Sequence, residues 1–411
     1  MKKFFTILAA GGLLIRAAAQ GPEVTSWMIN TTGLTGYNGI EADVQQVQYS
    51  TNSVYVSCSG IPDYTIGPWQ SNPNTPSDQN WVFKIPRNPV QNTGTPTATG
   101  LGNIGVFING MTLFNAKDAF SYNNQNIWHQ NAVVVEAISF DACLGHPAPG
   151  GSYHNHQNPT CLYVANSSQH SGILGYAFDG YPVYGPYAYA NTNGTGGIVR
   201  MESSYQLRNI TVRQTLPDGT PLTAGQYGPA VSGTYPLGYY IEDFEYVSGL
   251  GDLDEHNGRF CVTPEYPSGI YAYFITIDST GASAYPYAIG PTYYGIVETA
   301  NIGPGGGHVT ISETVTNYVP QTGIAQQASG NTAIKIYPNP ADDIITIDFG
   351  GTQQSPSTIS IQNSLGQLVL KQEAGADLSS AQLSLGHLPA GLYLVEVVTA
   401  TSRTVNRVSV H

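Results

Sequence analysis

Four of the nine histidines in this 411-residue chain fall between positions 129 and 156. Two of them form the triplet His154-Asn155-His156, inside Gly151-Ser-Tyr-His-Asn-His156. Side chains alternate along an extended strand, so this spacing predicts both imidazoles on one face. Neutral imidazole is the commonest transition-metal ligand. His146 or His129 would add a third donor, and water or a carboxylate a fourth. Three protein ligands with one open position make a reactive metal site, suited to redox or hydrolytic work. Ligand softness does not choose between copper and zinc for such a set. The same region has other readings. Cys143, His146, the His-x-His pair and Cys161 would form a closed zinc site. Without any metal, the imidazoles and nearby tyrosines would form a buried hydrogen-bonded network.

A second candidate cation site is Asp252, Asp254, Glu255 and His256, within an acidic stretch from Glu242 to Glu255. Asp-x-Asp near Asn257 and Gly258 suggests calcium, although Asn257 stands where an EF-hand loop needs Gly and Thr263 where it needs Glu. The bland reading is a solvated acidic loop. A third segment, His170 to Tyr187, holds Tyr176, Phe178, Tyr181, Tyr184 and Tyr187, with Asp179-Gly180 as an expected turn. These rings suit a core, or a groove that presents flat faces and hydroxyls to glycans or peptides. The four cysteines allow three pairings. In an exported protein the expectation is Cys143 with Cys161 and Cys58 with Cys261.

Several chemistries lack their signatures. The chain has no Gly-x-x-x-x-Gly-Lys-Ser/Thr loop, no His-Glu-x-x-His, no Gly-x-Ser-x-Gly and no Cys-x-x-Cys. The net charge is −13, and residues 21–310 carry seven bases against 20 acids. Phosphate backbones are bound by Lys and Arg, so nucleic acid is not an expected partner.

The elements that must position these residues are short. Only 10% of residues are charged, against about 25% in an ordinary soluble domain. The chain has 47 Gly, 27 Pro and 28 Tyr, which points to brief strands joined by many turns. Strand-like runs are Val44–Tyr49, Val54–Cys58, Trp81–Ile85, Gly105–Phe114, Ala132–Phe140 and Tyr271–Ile277. Met1 to Gln20 reads as a secretory signal: two lysines, an apolar run, then three alanines. No later run reaches the length of a membrane span. A polar stretch from about 311 to 331 reads as a linker. Beyond it, alternating runs at Ile344–Phe349, Thr358–Gln362, Gln367–Gln372, Gly391–Val398 and Thr404–Val410, with a turn at Asn363–Gly366, predict a small β-sandwich.

Two resemblances follow. Tyr337-Pro-Asn-Pro340, Gly366-Gln-Leu-Val-Leu370 and Leu388-Pro-Ala-Gly-Leu-Tyr-Leu-Val395 resemble the type A sorting domain of the bacterial type IX secretion system. That implies export across the outer membrane, a partnership with the secretion machinery, and a place at the cell surface or outside the cell. Asp141-x-Cys143-x-Gly145-His146, Tyr153-His-Asn-His156, Cys161-Leu162, Gly175-Tyr-Ala-Phe-Asp-Gly180, Tyr184-Gly-Pro-Tyr187, Leu253-Asp-Glu-x-Asn-Gly258, Thr263-Pro-Glu-Tyr-Pro267 and Tyr285-Pro-Tyr287 resemble the YHYH family. Asn155 stands where the naming motif has its second tyrosine, while both histidines remain. This resemblance names a domain without naming a reaction. The expected architecture is mainly β: a signal peptide (1–20), a large, loop-rich YHYH domain (21–310), a linker (311–331), and an Ig-like sorting sandwich (332–411). The leading functional expectation is a surface metal-binding protein using His154, His156, His146 and His129 with copper or zinc. The alternatives are an adhesion module for glycans or peptides and a structural surface protein without a ligand.

Overall fold

The computed structural model describes residues 20–320, and 334–410 apart from 350, 353–355, 364–367, 387, 390 and 399–402. The expected signal peptide, most of the linker and the turn after Asn363 lie outside the described residues. The chain divides into two compact units, Met1–Val319 and Pro320–His411.

The first unit is built on two sheets. The smaller is antiparallel and runs Thr316–Tyr318, Val44–Tyr49, Ser53–Cys58, Trp81–Pro86 in spatial order. The larger has eight strands: Gly258–Cys261, Ile270–Phe274, Pro182–Tyr184, Ile173–Ala177, Asn103–Phe107, Thr112–Phe114, Tyr153–Asn155 and Gly145–Pro147. Its pairings are antiparallel except for two, Val183 beside Tyr273 and Thr112 beside His154. The central strands Asn103–Phe107 and Ile173–Ala177 are buried at every position. Alternation explains this. Val106 and Tyr176 pack with Val56, Phe83 and Phe274 in one apolar cluster. Their neighbours Phe107 and Ala177 pack with Leu113, Tyr153 and Tyr273 in another. A sheet covered on both faces reads as an unbroken apolar run.

Three expectations need correction. Ala132–Phe140 is not a strand. Ala132–Val135 is a single helical turn followed by a tighter turn at Ala137–Ser139. Buried Asn131 starts it, donating to the Gly238 carbonyl and the Tyr287 hydroxyl, while the Ala132 amide donates to Ala116. These long-range bonds override the strand preference of three consecutive valines. Second, Thr316–Tyr318 lies within the stretch expected to be linker, yet it pairs antiparallel with Val47–Tyr49. Third, Cys58 and Cys261 are separate buried thiols. Cys58 Sγ donates to the Gly110 carbonyl at 3.3 Å, while Cys261 ends a strand of the other sheet beside Arg259. Burial pushes both thiols up, which makes them inert. Cys143 and Cys161 are bonded as expected.

The second unit has a three-stranded sheet (Lys335–Tyr337, Ile344–Asp348, Ser380–Ser384) and a four-stranded sheet (Leu368–Ala374, Ser357–Gln362, Gly391–Val398, Arg403–Val410). Ile345, Ile347, Ile359, Ile361, Val395 and Val397 share one core between them. The alternating pattern in the sequence is the inward face of this sandwich.

Candidate metal centre

The histidines sit at one edge of the eight-stranded sheet, on the hairpin of Gly145–Pro147 and Tyr153–Asn155. Its register places His146 directly opposite His154. Residues facing each other across an antiparallel pair share a face. His156 follows two positions after His154 and faces the same way.

Asp141 organises the entry to this hairpin. Its Oδ1 accepts the amides of Cys143 and Gly145, and its Oδ2 accepts the Gly67 amide and the Tyr153 hydroxyl. Gly145 has to be glycine, because a Cβ there would sit 2.4 Å from the Tyr153 hydroxyl. The Asn155 side chain points to the other face and donates to the Cys143 carbonyl. The Asp-x-Cys-x-Gly-His and Tyr-His-Asn-His motifs are therefore two halves of one braced turn.

His146, His154 and His156 are all buried, and their ligand atoms lie within 4.8 Å of one another. The Nε2 atoms of His146 and His154 are 3.1 Å apart, and those of His154 and His156 3.0 Å. The other nitrogen of each ring assigns the protons. His154 Nδ1 faces the Ser152 carbonyl at 3.1 Å, and His156 Nδ1 faces the Asn115 carbonyl at 2.5 Å. A carbonyl only accepts, so both rings carry Nδ1–H. His146 Nδ1 faces Ser139 Oγ at 2.7 Å, and that hydroxyl already donates to the Glu136 carbonyl. His146 therefore also donates from Nδ1. Three Nε2 atoms converge, each on a ring whose Nδ1 is committed elsewhere. Burial, and after it the neighbouring His156 imidazole, push His146 down to about 4, and burial with both neighbouring imidazoles holds His154 well below its ordinary value. An extra bridging proton on either is therefore disfavoured at neutral pH.

A carboxylate joins the group. Glu136 Oε2 lies 3.3 Å from His156 Nε2 and 3.6 Å from His146 Nε2. It is buried and faces these two imidazoles. Glu136 stands at the end of the helical turn Ala132–Val135, within the run expected to be a strand. Asp118 stands behind it: burial and the Glu136 charge push the Asp118 carboxyl up to about 6, and a side-chain hydrogen bond links the two. Asp118 thus holds a proton more readily than Glu136. Phe114 stacks on His154 with ring centres 3.8 Å apart, and Phe140 packs edge-on against His146 at 4.7 Å. Three nitrogens and one carboxylate oxygen can hold a transition metal, and the rings fix their orientation. The cluster opens into a cavity of about 720 Å³, which Asp118, Glu136 and all three histidines line.

The remaining candidates lie apart from it. His129 Nδ1 bonds Glu242 at 2.6 Å and its Nε2 faces Asn126 at 2.9 Å, so both ring nitrogens are committed. Asp254 accepts the Tyr271 hydroxyl and the amides of His256 and Gly258, which makes it a turn brace. Asp252 accepts the Glu202 amide, and His256 Nδ1 bonds Thr292. Glu255 is largely exposed. Among the described residues the three histidines are the one group of metal-ligating side chains that meets. Tyr176, Phe178, Tyr181 and Tyr184 are core, and only Tyr187 is half-buried. Tyr184 turns its hydroxyl to Thr263 and Glu265, and Asp179 accepts from Tyr273 and Gly295, so this segment presents no aromatic groove.

Residues 82–285 match the family described as YHYH protein, and residues 335–411 match the secretion system C-terminal sorting domain. Among curated proteins none matches the chain. A similar solved structure is a DUF3244 family protein with an immunoglobulin-like beta-sandwich fold from Bacteroides vulgatus. It is 15% identical, covers 19% of this chain and 84% of that one, and has a TM-score of 0.17. The histidine hairpin lies wholly inside the first match, and the C-terminal sandwich coincides with the second. The sorting domain makes this a secreted or cell-surface protein, and the chain carries a YHYH domain over residues 82–285 and a type IX secretion sorting domain over residues 335–411.

Proposed function

We propose that the YHYH domain is an extracellular metal-binding domain whose ion is held by His146, His154 and His156. The observation that carries this reading is the convergence of three imidazole Nε2 atoms and a buried carboxylate oxygen. Nitrogens at 3.0–3.1 Å repel as bare lone pairs, and a proton or a metal ion between them relieves this. A tetrahedral ion with nitrogen ligands at about 2.0–2.1 Å spaces those nitrogens by about 3.3 Å, so small shifts would seat one. Three imidazoles with a carboxylate suit copper(II) or zinc. Glu136 serves as the anionic fourth donor or holds a bound water. The cavity side of the ion is left for an exogenous ligand.

Metal analysis by mass spectrometry tests this on protein purified without a histidine tag. The native protein should hold about one copper or zinc per chain. His154→Ala with His156→Ala should abolish it. Glu136→Gln, which keeps shape and removes charge, should weaken binding without abolishing it. A native protein that takes up no copper or zinc would sink the reading, and metal retained by the double variant would place the site elsewhere.

A further inference from the structure

We infer that the metal centre takes a small, uncharged aromatic ligand, with its donor atom at the histidine floor and its ring on an apolar cavity mouth. This rests on the metal-binding reading above and adds the class of molecule that the site admits.

The cavity has two ends of different chemistry. Its floor holds the three histidines, Glu136 and Asp118. Its mouth holds Leu101, Phe120 and Ile138, which are 41%, 61% and 58% exposed. Large apolar side chains are normally exposed singly, so three around one opening need a reason. Ile138 and Phe120 stand two positions after Glu136 and Asp118, so the segments that bring the carboxyls to the floor also supply the mouth. No core packing accounts for Phe120, whose ring is mostly in solvent. An aromatic ligand would cover it, since paired rings gain from offset or edge-on contact beyond burial alone. Pro147 and Pro149 belong to the lining beside the ligand hairpin and add flat, rigid apolar surface.

Charge and size narrow the class. The cavity lining holds one base, Lys117, against Asp118 and Glu136. The surrounding domain carries seven bases against 20 acids over residues 21–310. Polyanionic ligands are therefore repelled at long range. A volume of about 720 Å³ exceeds what one imidazole needs and falls within the range of pockets for drug-sized organic molecules. A metal donor at the floor and an aromatic seat at the mouth together select a molecule with an N or O donor joined to an aryl group.

The test uses the full chain loaded with cobalt(II), whose visible spectrum reports inner-sphere ligands. Imidazole and 4-phenylimidazole are titrated against the native protein and against Phe120→Ser with Ile138→Ser. The native protein should bind 4-phenylimidazole about tenfold tighter than imidazole. In the double variant that preference should fall to near parity, and its cobalt content serves as the control for an intact centre. Equal affinities in the native protein, or a preference that survives in the variant, would overturn the aromatic seat and leave the metal reading standing. Failure of the native protein to take up cobalt, copper or zinc would overturn both.

Discussion

At the scale of single residues, the centre is decided by which nitrogen of each ring is committed elsewhere. Ser139, Ser152 and Asn115 take the Nδ1 protons, so all three imidazoles offer Nε2 to one point. Two of these partners are backbone carbonyls, which no side-chain substitution removes. Another buried acid in the first unit illustrates the opposite economy. Asp43 is 4% exposed with φ of 62°, and it accepts the Asp63 amide at 3.2 Å. Burial, followed by the Asp63 charge, pushes its carboxyl from 3.8 up to about 7. Between those values the folded state keeps a proton that the unfolded chain has released. Asp43's contribution therefore falls as pH rises through this window and stays low above it. Asp43→Asn removes the buried charge, keeps the accepting oxygen, and suits the left-handed backbone. Thermal melts should show stabilisation of about 1–2 kcal/mol at pH 8 and much less at pH 5. An equal gain at both pH values would show that the charge is not the cause.

At the scale of elements, the hairpin and its staple act as one device. The Cys143–Cys161 bond spans 18 positions, and the three clustered histidines all lie between its ends. Closing a loop of this size removes chain entropy worth about 3 kcal/mol from the unfolded state. The ligands would otherwise have to be ordered by the metal itself. Cys143→Ala with Cys161→Ala should lower stability to guanidinium by about 2–4 kcal/mol, and competition with a chelator should show weaker metal binding. Unchanged affinity would mean that Asp141 alone organises the hairpin. This element was legible in the sequence, because period-two alternation puts His154 and His156 on one face whatever the rest of the fold does. The placement of His146 opposite His154 was not, since cross-strand register depends on the turn between Ala148 and Ser152. Glu136 was hidden for a different reason. Ala132–Val135 has the composition of a strand, and only bonds from Asn131 and Ala132 to distant residues make it helical. His129 shows the converse failure: closeness in sequence to the cluster, but a side chain claimed by Glu242 from 113 positions away.

At the scale of the whole molecule, the first unit is closed by its last strand. Thr316–Tyr318 covers the outer edge of Val44–Tyr49, pairing Tyr318 with Val47 and Thr316 with Tyr49. Tyr318 packs against the larger core, and Glu313 accepts the Tyr55 hydroxyl at 2.6 Å. A polar composition read as linker thus contains the strand that protects a sheet edge, and exposed edges invite pairing with other chains. The sorting unit keeps its own core of Ile345, Ile359 and Val395, so its removal should leave the first unit folded. A chain ending at Val319 should melt like the first unit of the full-length protein and hold the same metal content. A chain ending at Thr310 lacks the covering strand and the Glu313 bond. It should lose about 2 kcal/mol and self-associate in sedimentation through the uncovered Val44–Tyr49 strand. The histidine centre lies in the other sheet, so any folded fraction of the shorter chain should still bind metal. Identical melting and sedimentation of the two chains would show that the strand is an appendage rather than the lock on the unit.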